Sequence, residues 1–275
     1  MSNKKPVDII LLGLTYVFAA ITLISLLFII FHVLVNGIPY LSLSLFERNF
    51  TSQNVSMFPS IVSTVIMVLL TLTIAVPLGI FTSIFLVEYV KRGSKLVILI
   101  RSAAEMLAGI PSVVYGLFGM LLFVEFLGFG WSLIAGSLTL SIMILPVVIR
   151  TTEESLKSVS DGYRESGYAL GAGKLRVVFK LVLPSAVPGI FAGVILAVGR
   201  IIGESAALIF TAGTVPQIPD SLSSSVRTLS VHMWALSGEA FHTGEAYATA
   251  VVLLLIVLIM NTISAVIARL FMANS

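Results

Sequence analysis

Two charged residues, Arg200 and Glu204, stand in an otherwise apolar segment in the carboxyl-terminal part of the chain. Arg200 follows Pro188 by twelve residues, so at about 1.5 Å per helical residue it is expected about 18 Å along a helix. If that helix crosses a membrane, the arginine costs on the order of 2.5 to 3.5 kcal/mol and must face protein or water. A guanidinium there can bind the oxygens of an anion, which makes this segment a candidate wall of an anion pathway.

The spacing of these two charges also predicts a purely structural arrangement. Glu204 lies one helical turn beyond Arg200, where the two side chains can form an i,i+4 ion pair. Four glycines at helical spacing accompany them and favour close helix packing: Gly189, Gly193, Gly199 and Gly203. Packing explains the glycines but not a costly ion pair among them, so we expect Arg200 to contact an anion and Glu204 to position Arg200.

A second candidate for function is the polar stretch between two apolar runs at residues 160–185. Apolar residues alternate there with cations at helical spacing, and Gly171 predicts a turn between two short helices. Pro184 is expected to end the second helix, because the residue before a proline is disfavoured in the helical region. Such a projection is either an ordinary basic loop or a docking surface for another protein.

The composition places both features in an integral membrane protein. Hydrophobic residues make up 58% of the 275 residues and charged residues only 11%, whereas soluble chains are about a quarter charged. The mean hydropathy is +1.10. The chain has no cysteine, which excludes disulfides, iron–sulfur ligation and a cysteine nucleophile.

Six apolar runs are each long enough to cross the roughly 30 Å hydrocarbon layer as helices. Their approximate bounds are 9–35, 60–87, 111–127, 131–149, 186–212 and 246–270. The first run is too long for a signal peptide and lacks a convincing cleavage site, so we expect a retained anchor helix. Residues 94–107 predict an amphipathic helix on the membrane surface that turns inward at Gly109-Ile110-Pro111.

Cations are distributed unevenly between the two sides of this arrangement. Thirteen of the sixteen fall on the side of both termini: Lys4, Lys5, Lys91, Arg92, Lys95, Arg101, Arg150, Lys157, Arg164, Lys174, Arg176, Lys180 and Arg269. The other side holds Arg48 and Arg227. Because cytoplasmic loops of membrane proteins carry an excess of Lys and Arg, both termini and residues 160–185 are predicted to be cytoplasmic.

The spacing within residues 160–185 resembles the EAA loop of ABC importer permeases. Five residues match the pattern Glu-x5-Gly-x9-aliphatic-x-Leu-Pro in identity or class: Glu165, Gly171, Leu181, Leu183 and Pro184. Ser166 and Gly167 replace the two alanines of the pattern, and both are small. The resemblance implies an all-α type I ABC importer permease fold with six transmembrane helices. It also implies that this loop is a coupling helix seated in a separate cytoplasmic ATPase, with Glu165, Gly171, Leu183 and Pro184 as coupling residues.

Two further segments resemble the permeases of phosphate importers, the PstA family. They are residues 101–119, with Gly-Ile-Pro-Ser-Val-Val-Tyr-Gly-Leu-Phe-Gly at their end, and residues 199–213, with Gly-Arg-Ile-Ile-Gly-Glu-Ser-Ala-Ala at their start. The resemblance implies a permease of an ATP-driven phosphate importer in the cytoplasmic membrane of a prokaryote. It further implies a PstC-like second permease, two ATPase subunits and an extracytoplasmic phosphate-binding protein. PstC permeases share much of the pattern, and the short amino-terminal region favours PstA.

For phosphate, three residues are candidate pathway groups. Arg200 can hold two phosphate oxygens at once, and Glu204 can accept a hydrogen bond from the P–OH of hydrogen phosphate, which sulfate lacks. Arg101 is expected near the cytoplasmic mouth of the pathway, where a cation would attract the anion as it is released. Snorkelling of the side chain to the membrane interface explains its position as well. No catalytic residue, metal or cofactor is expected on this chain, since ATP and Mg²⁺ would bind to the partner ATPase.

Other functions are compatible with parts of this pattern. Permeases for sulfate, molybdate or amino acids share the coupling loop. An ion-coupled secondary transporter predicts broken helices in matched halves, and we find no such internal symmetry. An intramembrane enzyme needs a nucleophile with a base, or metal ligands, whereas His32, His232 and His242 are far apart in the sequence.

The sequence also limits what else the chain can do. It has no Gly-x4-Gly-Lys-Ser/Thr phosphate-binding loop, so the ATP-hydrolysing subunit is expected to be another chain. The polar segments are loop-sized, which predicts a single transmembrane domain over residues 1–275, surrounded by membrane lipid. Nothing in the pattern predicts binding to nucleic acid.

Overall fold

The computed structural model describes residues 6–91, 93–239 and 241–273. Within these residues the chain forms eleven α-helices and no strand. Their bounds are α1 Pro6–Gly37, α2 Phe58–Ile84, α3 Lys95–Ala108, α4 Ser112–Gly119, α5 Leu133–Ser158, α6 Asp161–Ala169, α7 Lys174–Val177, α8 Leu183–Gly203, α9 Ala206–Thr211, α10 Leu229–Gly238 and α11 Thr243–Ala273. Three π-helical segments extend these helices: Phe85–Tyr89 after α2, Met120–Phe126 after α4, and Val178–Val182 between α7 and α8.

The described residues contain five helices that are long and apolar enough to cross a membrane: α1, α2, α5, the continuous helix α7–α8, and α11. The pair α3–α4, which bends by 103°, makes a sixth. Each of the six predicted apolar runs corresponds to one of these segments, which confirms the all-helical membrane fold. The bounds differ most for the third and fifth runs.

The third predicted span, 111–127, is too short to cross alone. The helix that begins with α4 continues through its π-helical segment to Phe126, a length of about 22 Å. Helix α3 is bent by 103° from α4 and therefore adds almost no length in the direction of α4. The bend between them lies where the sequence predicted it, and the buried Tyr115 hydroxyl fixes it by donating to the Leu107 carbonyl at 2.7 Å.

Helix α5 lies at the centre of the bundle and packs closely against α2. A Cβ atom at Gly79 of α2 would lie 2.6 Å from Val148 Cγ1, so only glycine fits there without a shift. Four residues later, the buried Ser83 hydroxyl donates to the Ile149 carbonyl at 2.8 Å. Polar and apolar contacts therefore hold these two helices at one register.

Helix α8 packs against another side of α5 in the same way. A Cβ atom at Gly189 would lie 2.3 Å from Ser155 Oγ, and one at Gly193 would lie 2.0 Å from Thr151 Oγ1. From the first of these pairs to the second, the residue number rises by four on α8 and falls by four on α5. The two helices are therefore antiparallel with a defined register. These two glycines serve helix packing, as the Gly-x-x-x-Gly spacing indicated.

The bundle has two ends, which we name by the helices found there. At the α6–α7 end, α2 and α5 finish and the helix α7–α8 begins. At the α9–α10 end, the Ser132 amide donates to the Thr211 carbonyl, and the Leu229 amide donates to Thr64 Oγ1 near the start of α2. Gly37 at the end of α1 packs against Tyr247 near the start of α11, so α1 begins and α11 ends towards the α6–α7 end.

The described cations follow this division, with Arg48 and Arg227 at the α9–α10 end beside Phe50. Three cations that the sequence analysis counted, Lys4, Lys5 and Arg92, lie outside the described residues. The topology places the two ends of the described chain on the same side as α6 and α7.

The close contact between α5 and α8 at Gly189 and Gly193, which we call the α5–α8 seam, leads to a stability prediction. Replacing Gly193 by Ala places a methyl group against the stiff, β-branched Thr151, so the two helices must separate. We expect a loss of about 1–3 kcal/mol, measured as a lower thermal unfolding temperature of this chain purified on its own. Gly199→Ala is the matched control, since its added Cβ meets no atom within 4 Å. Equal unfolding temperatures for both variants would contradict the seam.

Candidate functional site

Arg200 lies in the last turn of α8, level with the middle of α5. The pairs Gly189–Ser155 and Gly193–Thr151 define the antiparallel register, and its extension places Arg200 level with Ile144. Ile144 is about 17 Å from the first residue of α5 and about 21 Å from its last. The arginine therefore lies about halfway along the central helix.

The predicted ion pair between Arg200 and Glu204 is wrong. Helix α8 ends at Gly203, and Glu204 has an extended backbone with φ −76° and ψ 126°. No salt bridge joins these two side chains within the described ranges. The predicted fifth span, 186–212, accordingly divides into α8 and the short helix α9.

Glu204 instead caps the start of α9. Its carboxylate oxygen Oε1 accepts a hydrogen bond from the Ala207 amide at 3.0 Å, and its carbonyl accepts one from the Ser230 hydroxyl. The first amides of a helix have no partner within the helix, so a carboxylate that accepts from one stabilises the new helix start. Glycine at position 203 also weakens the continuation of α8. Together these contacts explain the break.

The Arg200 side chain makes no direct polar contact in the part of the chain that the structure describes. Its side chain is partly exposed, and no hydrogen bond or ion pair to a described residue engages its guanidinium. A Cβ atom at Gly199 or Gly203 would meet nothing within 4 Å, so this part of α8 borders open space. A free guanidinium beside such a space can bind an anion.

Arg101 lies elsewhere, at the α6–α7 end. It forms an ion pair with the buried Glu153 of α5, and Lys157 binds the same carboxylate oxygen at 2.7 Å. Along α5, Glu153 is about 14 Å from the level of Arg200, so the structure does not bring the two arginines together. A cavity of about 460 Å³ extends from Arg101 to Leu196, one turn before Arg200 on α8.

Sequence reasoning missed the carboxylate in this cluster. The predicted fourth span stopped at residue 149, whereas α5 continues to Ser158. Glu153 precedes Lys157 by four residues, and that spacing is the usual one for an ion pair on a helix. Extending the helix through the charged residues would have identified the pair.

The stretch 160–185 folds as the short helix α6, a tight turn and the start of the long helix α7–α8. The turn was predicted, whereas the second helix is not short. Gly171 lies in this turn with φ +76°, a conformation that favours glycine. Gly167 of α6 packs directly on the returning chain, where an added Cβ would lie 2.9 Å from both Val177 and Leu181. The small residue that replaces an alanine of the EAA pattern therefore lies at a close helix contact.

The expectation that Pro184 ends the second helix is wrong. Leu183 remains helical with φ −60° and ψ −47°, and Pro184 sits in the first turn of α8. The π-helical turn Val178–Val182 precedes it, and its wider winding accommodates a ring that would clash in a regular α-helix. The helix thus runs unbroken from Lys174 to Gly203.

The α6–α7 hairpin presents apolar side chains outward. Leu170 is 88% exposed and Leu175 is 67% exposed, and Tyr163 and Tyr168 are exposed beside them. Glu165 is also exposed, while Leu183 and Pro184 are partly buried at the hairpin base. Exposed cations surround this patch: Lys174, Arg176 and Lys180. A projecting apolar patch with a basic rim is typical of a surface that binds another protein.

The hydrogen bond between Glu204 and the Ala207 amide allows a test that separates the capping role of this side chain from the effect of its negative charge. Glu204→Gln keeps a carbonyl oxygen that can accept from the Ala207 amide, so the thermal stability of the purified protein should be preserved. Glu204→Ala removes the acceptor and should cost about 1 kcal/mol. A thermal unfolding series of both variants checks this. A stability loss in Glu204→Gln as large as in Glu204→Ala would show that the negative charge, not the cap, matters.

Comparisons with known proteins agree with this architecture. Residues 75–273 match the protein family described as "Binding-protein-dependent transport system inner membrane component". The chain is 34% identical over 272 residues to the phosphate transport system permease protein PstA of Yersinia pestis, covering 96% of this chain and 90% of that protein. It is 32% identical over 277 residues to the probable ABC transporter permease protein YqgI of Bacillus subtilis, covering 94% of both.

Solved structures show the same fold. The inward-facing MetNI methionine ABC transporter superimposes with a TM-score of 0.62 at 18% identity, covering 78% of this chain and 94% of that chain. A bacterial ABC transporter involved in the import of alginate gives a TM-score of 0.58 at 15% identity, covering 95% and 97%. The chain belongs to the family of binding-protein-dependent transport system inner membrane components, the permeases of ABC importers.

Proposed function

We propose that the chain is the PstA-type permease subunit of an ATP-driven importer of inorganic phosphate. The observation that carries the proposal is the Arg200 guanidinium, which lies level with the middle of α5 and forms no hydrogen bond or ion pair with a described residue. Similarity over most of the chain to PstA of Yersinia pestis and to PstA of Haemophilus influenzae, at 34% and 31% identity, supports phosphate as the anion.

Arg200 would contact phosphate during transport. A guanidinium presents a planar pair of N–H donors that matches two phosphate oxygens. Glu204 lies four residues beyond, fixed by its hydrogen bond to the Ala207 amide rather than by Arg200. Its negative charge would accept a hydrogen bond from the P–OH of hydrogen phosphate and repel sulfate, which has no such proton. Arg101 would act later, at the mouth of the cavity that leads from Leu196 to the α6–α7 end.

Energy would come from a separate ATPase, which binds ATP and Mg²⁺. The apolar patch on the α6–α7 hairpin would dock in a groove of that subunit, with Glu165, Gly171, Leu183 and Pro184 shaping the hairpin. Because α7 and α8 form one helix from Lys174 to Gly203, movement of the hairpin reaches the segment that carries Arg200 without crossing a joint.

The complete transporter would contain further subunits in the cytoplasmic membrane. A PstC-like permease would cover the open side of α8, and two ATPases would face the cytoplasm together with both termini of this chain. An extracytoplasmic phosphate-binding protein would dock at the α9–α10 end, where α10 and the polar segments after α1 and α9 lie.

The pathway role of Arg200 is tested by phosphate uptake into vesicles that contain the complete complex. Arg200→Ala should lower uptake about 30-fold or more, because a charge-assisted hydrogen bond contributes about 2 kcal/mol. Arg269→Ala, an exposed arginine on α11, is the control and should leave uptake unchanged. Wild-type uptake in Arg200→Ala, or efficient competition by sulfate in the wild-type complex, would contradict the proposal.

The docking surface is tested by purification. Leu170→Asp combined with Leu175→Asp should release the ATPase, because replacing two apolar anchors that docking would bury by charges weakens binding by at least about tenfold. Leu222→Asp, an exposed leucine between α9 and α10, is the control and should retain it. The amount of ATPase subunit that copurifies with the permease is the readout. An undiminished amount in the double variant would place the ATPase elsewhere.

A further inference from the structure

The π-helical segment Phe85–Tyr89, which continues α2, contacts both helices of the α6–α7 hairpin. Glu88 and Tyr89 are consecutive residues in the π-helical segment that follows α2. Glu88 binds Arg164 of α6, and the Tyr89 ring lies under the Lys174 ammonium at the start of α7, 4.9 Å from the ring centroid. Two neighbouring side chains of a membrane-crossing helix thus contact both halves of the projecting hairpin.

The contact between Glu88 and Arg164 is buried and directional. The guanidinium Nη2 lies 2.7 Å from Glu88 Oε1, and Nε lies 3.1 Å from the same oxygen. The side chain of Glu88 is 5% exposed and that of Arg164 is 15% exposed. Water therefore screens this pair less than an exposed one, and loss of either partner leaves a buried charge without compensation.

Arg164 also bonds to the end of α5. Its Nη2 donates to the Leu156 carbonyl and its Nη1 donates to the Val159 carbonyl, both at 2.9 Å. Asp161 of α6 accepts from Nη1 at 3.1 Å. One guanidinium therefore joins the ends of α2 and α5 to the hairpin. The hydrogen bonds to Glu88 raise the pKa of Arg164, although burial opposes this, so the arginine stays charged.

Chain connectivity explains why α2 needs such a contact. The hairpin follows α5 after a two-residue link and continues directly into α8, so the chain itself transmits its movement to both helices. Helix α2 is not adjacent to the hairpin in the chain. Its close contacts with α5 at Gly79 and Ser83 lie at least about 7 Å before Glu88, so they do not hold the end of α2 to the hairpin itself. Apolar residues of α2, such as Ile84, also pack against the hairpin, but packed helices move past one another by small sliding displacements, which an ion pair with fixed donors and acceptor resists.

We propose that Glu88 and Arg164 form the joint that makes α2 move with the α6–α7 hairpin during the transport cycle. Both are positioning residues, since they act through helices α2, α5 and α8 and contact neither phosphate nor ATP. The inference rests on the proposed function, in which a separate ATPase moves the hairpin. Breaking the joint lets the hairpin follow the ATPase while α2 stays behind, so ATP is hydrolysed without complete opening of the pathway.

The experiment measures phosphate uptake and ATP hydrolysis in the same vesicles, with the complete complex. Glu88→Ala with Arg164→Ala removes both charges together, so neither is left buried alone. The ATPase should still copurify and hydrolyse ATP, while phosphate moved per ATP falls about tenfold, within the usual range of coupling between sites. Lys91→Gln, exposed just after α2, is the matched control and should keep the wild-type ratio.

A cross-link separates a mechanical joint from a structural contact. The chain has no cysteine, so Glu88→Cys with Arg164→Cys introduces a unique pair of thiols in this subunit. A short bis-maleimide that links them should restore the phosphate-per-ATP ratio, whereas capping both thiols with a monofunctional maleimide should not. Failure of the cross-link to restore the ratio overturns the joint.

The outcomes distinguish the two proposals. A wild-type complex that hydrolyses ATP without phosphate uptake refutes the proposed function. A wild-type complex that imports phosphate, together with an alanine pair that keeps the wild-type ratio, refutes the joint alone. Loss of the ATPase from the alanine pair also refutes it, because the contact then serves docking.

Discussion

Helix α5 packs against α2 and α8 at contacts too close for any side chain larger than hydrogen at Gly79, Gly189 and Gly193. Inside a bilayer the lipid is as apolar as leucine, so the hydrophobic effect does not drive helices together. Van der Waals packing at such close contacts holds them instead. The contacts fix the register of α8 on α5, and the register fixes the level of Arg200. They also fix the ends of α2 and α5 relative to one another, beside which the α6–α7 hairpin begins.

One continuous helix connects the α6–α7 end of the bundle to its middle. The helix from Lys174 to Gly203 is about 45 Å long and starts within the hairpin. Its first turns pack against α6, its middle turns pack against α5, and Arg200 lies in its last turn. In the proposed cycle, a displacement of the hairpin would therefore carry the arginine along. In the proposed cycle, the buried pair of Glu88 and Arg164 would extend the same displacement to α2, which is not adjacent to the hairpin in the chain.

Much of this arrangement could be predicted from the sequence, because it depends on local patterns. The lengths of the apolar runs predicted the membrane-crossing helices, and the spacing of Gly189 and Gly193 predicted the close packing of α8. Gly171 gave the turn between α6 and α7, since a positive φ there favours glycine. The EAA resemblance located the hairpin.

The errors share a different cause, since each depends on contacts that sequence spacing does not contain. The i,i+4 pairing of Arg200 with Glu204 assumes a continuous helix, whereas the carboxylate caps α9 instead. Pro184 continues its helix because a π-helical turn precedes it. The partner of Arg164 is 76 residues away, so no local pattern identifies Glu88.

The central claim is that a partner ATPase moves the α6–α7 hairpin and thereby a phosphate-binding arginine. Cryo-electron microscopy of the complete complex with bound phosphate tests it most directly. The account predicts Leu170 and Leu175 in a groove of the ATPase, and a phosphate oxygen within hydrogen-bond distance of the Arg200 guanidinium. A partner carboxylate that neutralises Arg200, with phosphate bound elsewhere, would contradict the claim, and so would a hairpin that touches no ATPase.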